Sequence, residues 1–147
     1  MRSRRLSIAA LLVAALVTTG CGSVAGADEA TQEPAKVEPI DGTDQSRIIL
    51  SADAARRIGL TTTEVKAASG SSSSMTAVPY SAIVYWLDGG AWVYEQSAPL
   101  TFVRRPVVVD NVHGDRATLS SGPPVGADVV EVGSVELLGT EFEIEGE

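Results

Sequence analysis

Apolar positions in this chain follow three regimes. From Leu6 to Val17 they form a twelve-residue run broken only by Ser7. As a helix this run would span about 18 Å, short of the ~30 Å hydrocarbon core of a bilayer. With Arg2, Arg4 and Arg5 before it, the run predicts a signal peptide over residues 1–20 and not a membrane span. From Gly22 to Ser46 there is no apolar period, and Ala, Glu, Asp, Gly and Pro dominate. This stretch predicts a disordered tether, residues 21–46 with its anchoring cysteine. From Arg47 onward short periodic segments return, and they predict one folded β-rich domain over 47–147.

Within that domain Arg47-Ile48-Ile49-Leu50 is a short strand signal. Ser51 then stands as an N-cap with Asp53 in the first turn, and Ala52 to Ile58 predicts two turns of helix closed by Gly59. Leu60 to Lys66 alternates weakly, as a strand does. Ala67 to Ser74, with Met75 at its end, is a flexible linker by composition. Beyond it the chain predicts only strands: Val78-Pro79 into Ala82 to Trp86, an Asp88-Gly89-Gly90 hairpin turn, and Ala91 to Glu95 with Trp92 and Tyr94 on one face. Leu100 to Val109 is the longest, bent or held at an edge by Pro106. A turn at Asn111 to Asp115, a strand from Arg116 to Leu119, a turn at Ser121 to Gly126 and a strand from Asp128 to Val132 complete the set. Glu141, Glu143, Glu145 and Glu147 alternate with Phe142 and Ile144, which predicts a terminal strand carrying carboxylates along one face. The fold class expected is mainly β: a small barrel or sheet of about six to eight short strands with one short helix near its start.

Charge narrows the partners. The full chain of 147 residues carries a net −8. Once Arg2, Arg4 and Arg5 leave with the signal, 8 basic side chains face 19 acidic ones, a balance of −11. Such a surface repels phosphate backbones and anionic headgroups, which argues against nucleic acid and against surface adsorption. Cationic partners, metal ions or drugs suit it better, although acidity also simply keeps a protein soluble.

Candidate chemistry is sparse. His113 is the only histidine and falls in a predicted turn, with no G-x-S-x-G elbow to present a nucleophile. One His, one Cys and the thioethers of Met1 and Met75 make a poor metal set. No catalytic, cofactor-binding or metal residue is assigned, and an enzyme is not expected. Trp86, Trp92 and Tyr94 read as core or half-core residues, with a ligand pocket as the alternative. Arg104-Arg105 reads either as a solvated pair on an edge strand or as a contact with acidic headgroups or a partner. The single cysteine, Cys21, excludes an internal disulfide framework.

Thr18-Thr19-Gly20-Cys21-Gly22 resembles the lipobox of bacterial lipoproteins, with Thr18 where that family favours Leu. The resemblance implies a diacylglycerol on Cys21, cleavage before it, acylation of the freed amine in many species, and residence on the outer face of the cell membrane. Two or more acyl chains make such attachment lasting, since each buried CH₂ contributes roughly 0.8 kcal/mol. Ala25-Gly26-Ala27 offers an ordinary signal-peptidase site as the competing reading.

Two further stretches resemble the periplasmic adaptors, or membrane fusion proteins, of resistance-nodulation-division efflux pumps. The first is Ile49-Leu50-Ser51-Ala52-Asp53-Ala54-Ala55-Arg56-Arg57-Ile58-Gly59-Leu60, with Ala52 where Pro is common. The second runs from Val78-Pro79 through Trp92-Val93-Tyr94, Arg105-Pro106-Val107, Gly114-Asp115-Arg116, Gly122, Gly126 and Asp128-Val129-Val130 to Gly133 and Glu136-Leu137-Leu138. Gly122-Pro123-Pro124-Val125-Gly126 departs from the usual Gly-Leu opening. The resemblance implies a membrane-proximal domain in which the second barrel, the lipoyl-like domain and the helical hairpin of full adaptors are replaced by the Gly-Ser linker. It implies protein–protein docking on the external face of an inner-membrane transporter, with no cofactor. A free-standing surface lipoprotein that binds a small ligand or cation is the rival, and a structural envelope protein a third.

Overall fold

The computed structural model describes residues 33–69 and 75–144. The predicted signal peptide, Cys21 and most of the linker lie outside the described residues. The chain is mainly β. Strand β1 (Ala35–Pro39) pairs antiparallel with β2 (Ser46–Leu50), and helix α1 (Ala52–Arg57) follows. Next come β3 (Thr61–Glu64), β4 (Lys66–Ala67), β5 (Thr76–Pro79), a 3₁₀ turn at Tyr80–Ala82, β6 (Val84–Tyr85), β7 (Ala91–Ala98), β8 (Thr101–His113), β9 (Arg116–Ser121), β10 (Asp128–Val132) and helix α2 (Ser134–Ile144).

Seven of these strands form a path in the order β3-β10-β7-β8-β9-β5-β4. Its two outer strands are consecutive in sequence, separated only by Val65. That residue bonds both ways to the β9–β10 connection: its N–H donates to Ala127 O at 2.8 Å and its C=O accepts from Gly126 N–H at 2.9 Å. The sheet is therefore nearly a closed barrel, a geometry that leaves few free edges. β1 and β2 are added beside β8, with Arg47, Ile48 and Ile49 opposite Val103, Phe102 and Thr101.

Alternation along β7, β8 and β10 sends side chains into two cores. Inside the barrel Val65, Val78, Ala82, Ile83, Val93, Val107, Ala117, Leu119 and Val129 pack together. Outside it, Ile48, Leu50, Ala55, Val84, Tyr94, Phe102, Val130 and Leu137 form a second cluster under α2. β10 serves both, Val129 inward and Val130 outward. Both faces of the central strands are thus covered.

The helical segment behaves as its sequence predicts. Ser51 Oγ accepts the Ala54 N–H at 3.1 Å, and Gly59 ends the turn at φ +64°. Three expectations are corrected. The segment read as tether contains β1, so order begins upstream of Arg47: Ala35 and Val37 alternate toward the outer core, while Lys36 and Glu38 pair with each other at 2.7 Å. Four alternating residues between Pro34 and Pro39 are hidden by the surrounding composition. The turn after β8 is shorter than expected, Gly114 and Asp115 alone, because His113 still pairs with Arg116. The carboxylate-bearing terminal strand is a helix. Gly133, at φ +101°, breaks β10, and its carbonyl accepts the Leu137 N–H at 3.0 Å. From there Leu137, Leu138, Glu141 and Phe142 recur at 3.6 spacing, which outweighs a period-two pattern beginning only at Glu141.

Candidate functional site

Tyr94 and Arg104 face each other across β7 and β8, and Trp92 lies diagonal to Arg104 on the same face. All three point away from the barrel interior and under α2. There Glu141 closes the group: it accepts the Tyr94 hydroxyl at 2.7 Å and Arg104 Nε at 3.2–3.3 Å. Arg104 is 6% exposed and Glu141 1%. The guanidinium also stacks over the Trp92 ring at 4.4 Å and reaches the Phe142 ring at 5.3 Å, and Phe142 in turn stacks on Trp86 at 4.2 Å. Burial, the hydrogen bond to Glu141 and its charge all push the Tyr94 phenol well above its ordinary value, so it stays a neutral donor. A desolvated ion pair is retained where both partners have further contacts, and here each has them. The group fixes the position of α2 on the barrel.

Trp92 Nε1 is buried with no hydrogen-bond partner. It lies beneath the β6–β7 turn, where a Cβ on Gly90 would come within 2.9 Å of it. Gly90 is thus required by close approach of the indole.

With α2 fixed, its outer wall faces α1 and the start of β1. Between them lies an open cleft of about 420 Å³, lined by Pro34, Ala35, Leu50, Ala54 and Ile58 with Arg57, Glu136, Thr140 and Glu143 at the rim. Its floor is apolar and its edges are charged, the composition of small-molecule and peptide sites. A separate feature lies on the 3₁₀ turn and β6. Tyr80 and Tyr85 have ring centroids 6.4 Å apart. They are 44% and 51% exposed, and Leu87, in the following turn, is 96% exposed.

The residues singled out from sequence scatter over these features. Trp86, Trp92 and Tyr94 are indeed core or half-core, and the structure joins them to Arg104 and Glu141, a grouping no local pattern signals. The arginine pair is split by alternation: Arg104 is buried, while Arg105 is exposed and bonds Glu95 at 2.8 Å. Neither solvation of both nor a shared partner contact describes them. Of the four alternating glutamates, Glu141 is buried, Glu143 lines the cleft, and Glu145 and Glu147 lie outside the described residues. His113 is exposed at the end of β8. Among the described residues no group of three or more His, Cys, Asp or Glu side chains is placed to hold a metal ion. Cleft residues Arg57 and Glu136 were missed, and the i, i+4, i+7 row of Glu136, Thr140 and Glu143 becomes visible only once residues 134–144 are read as a helix.

No family model, curated protein or solved structure matches this chain.

Proposed function

We propose that this protein is a membrane-anchored, adaptor-like accessory subunit of an export system of the resistance-nodulation-division type, held at the outer face of the cell membrane through Cys21 and docking on a transporter by protein–protein contact. The observation that carries the reading is the pairing at the linker. Lys66 and Ala67 lie opposite Ala77 and Thr76, and the Ala68 N–H donates to Met75 O at 3.0 Å. The resemblance requires that a long excursion be absent between these two stretches. Such an omission costs little only where the strands on either side are neighbours, because loop closure is then nearly free. β4 and β5 are such neighbours.

Tyr80, Tyr85 and Leu87 supply a contact of the right kind. Two neighbouring, half-exposed tyrosines are of the residue type that dominates protein interfaces, and Leu87, two residues after Tyr85, adds exposed apolar area. The acidic surface favours a basic partner and disfavours direct adsorption to anionic lipid.

The test is a photo-crosslinking side chain in place of Leu87, in cells that make the lipidated protein. The expected product is an adduct with an integral membrane protein, lost when Cys21→Ser releases the chain from the membrane fraction. Irradiated membranes that contain the anchored protein but yield no protein adduct would overturn the reading.

A further inference from the structure

We infer that the cleft between α1, β1 and α2 is a binding site for a monocationic amphiphile, an organic ammonium carrying an apolar body. The floor is built by Pro34, Ala35, Leu50, Ala54 and Ile58, all apolar and drawn from β1, β2, α1 and the residues that flank them. Its volume, about 420 Å³, falls in the range of sites that take drug-sized ligands.

The rim decides the ligand's charge. Glu136 and Glu143 stand two turns apart on α2, about 10 Å along its axis. Arg57 stands on α1, and none of the three makes an ion pair among the described residues. Thr140, between the glutamates, spends its hydroxyl proton on the Glu136 carbonyl at 2.9 Å. Two carboxylates against one guanidinium leave the rim at −1, which a single ammonium neutralises. Separated carboxylates do not chelate: a hard divalent cation needs six or more convergent oxygens, or an octahedron completed by water. A weakly hydrated organic ammonium needs only one nearby carboxylate and gains from covering the floor.

Charge complementarity also favours a cation over an acidic segment as the occupant. Residues 22–33 contain Asp28, Glu29 and Glu33 and no basic side chain, and residues 145–147 are Glu-Gly-Glu. Each would bring negative charge to a negative rim. A second copy of this acidic chain meets the same repulsion.

Three probes with one tail separate charge from burial: decylammonium, decanol and decanoate, each below its aggregation concentration. They are titrated into the chain from residue 21 onward carrying Cys21→Ser, and followed by amide shifts in NMR. The expected result is saturable binding of decylammonium, with shifts confined to residues 35, 50–58 and 136–143. Its Kd should lie about tenfold or more below that of decanoate. The double variant Glu136→Gln, Glu143→Gln should weaken decylammonium to the level of decanol, and Arg57→Gln should tighten it about threefold, opposite in sign. All three residues lie on exposed helix faces, so circular dichroism should show unchanged folding. Raising the salt should weaken decylammonium and leave decanol alone. Equal affinity for the three probes, shifts elsewhere, unsaturable binding, or indifference to the charge variants would each overturn the site. No membrane protein is present in this titration, so its failure leaves the docking reading untouched, and the crosslinking result leaves the site untouched.

Discussion

The barrel interior and the outer core lie on opposite faces of the same three strands and are built by different means. Inside, nine aliphatic residues contributed by β5, β7, β8, β9 and β10, the 3₁₀ turn with Ile83, and the β3–β4 junction fill the space with no ionisable group among them. Outside, Phe102, Ile48, Leu50 and Leu137 are joined by the polar cluster of Tyr94, Arg104 and Glu141. The first depends on filling volume with aliphatic side chains and contains no directed side-chain bond among its members. The second depends on three polar groups meeting from elements up to 47 residues apart, so it selects one position for α2. The difference separates stability, which burial supplies without direction, from placement, which directed bonds supply.

The sharpest way to break this contrast is Arg104→Met. It leaves Glu141 buried and uncompensated, and urea unfolding should show a loss of about 3–5 kcal/mol. Hydrogen exchange should show α2 amides losing protection before those of β9. The triple variant Arg104→Met, Glu141→Leu, Tyr94→Phe should recover most of the loss, because an apolar group of similar volume removes the desolvation cost and leaves no hydroxyl unpaired. In the other core Leu119→Ala should cost about 2–5 kcal/mol through the cavity it leaves, with no selective effect on α2.

A smaller effect separates the cores by pH. Tyr94 is held neutral in the folded chain, above its ordinary value of 10.0. Its contribution is therefore fully present below pH 10 and is lost as pH rises beyond that, where the unfolded chain ionises and the folded one resists. The unfolding midpoint should fall above pH 10, and Tyr94→Phe should flatten that fall while costing about 1–2 kcal/mol at neutral pH. Smallest is Ser51→Ala, which removes the cap of α1 at the edge of the outer core. It should cost about 1 kcal/mol in the same urea assay and leave the barrel amides unchanged.

Much of the barrel was legible because its signals are local. Ser51 and Gly59 bracket α1, Asp88-Gly89-Gly90 turns β6 into β7, and Asp128 to Val132 is β10 to the residue. What the sequence hid is what the outer core needs. β1 is five residues in acidic, Ala- and Pro-rich surroundings, and its pairing with β2 is tertiary information. In α2 the alternating glutamates drew attention from Gly133-Ser134, a start signal, and from the Leu137–Glu141 and Leu138–Phe142 pairs at i, i+4. A buried arginine and a buried glutamate look like surface residues until the fold brings them together. The candidate cleft was hidden for the same reason, since its walls are α2 and β1.

Glu141 lies on the last of the described elements, and this sets an order of completion. A chain synthesised from its N-terminal side presents every strand of the barrel before α2 emerges. Until residue 141 arrives, Arg104, Trp92 and Tyr94 stand on an uncovered face with no counter-ion. The single carboxylate of Glu141 thus works as a latch, holding α2 over a face that three earlier strands have already built.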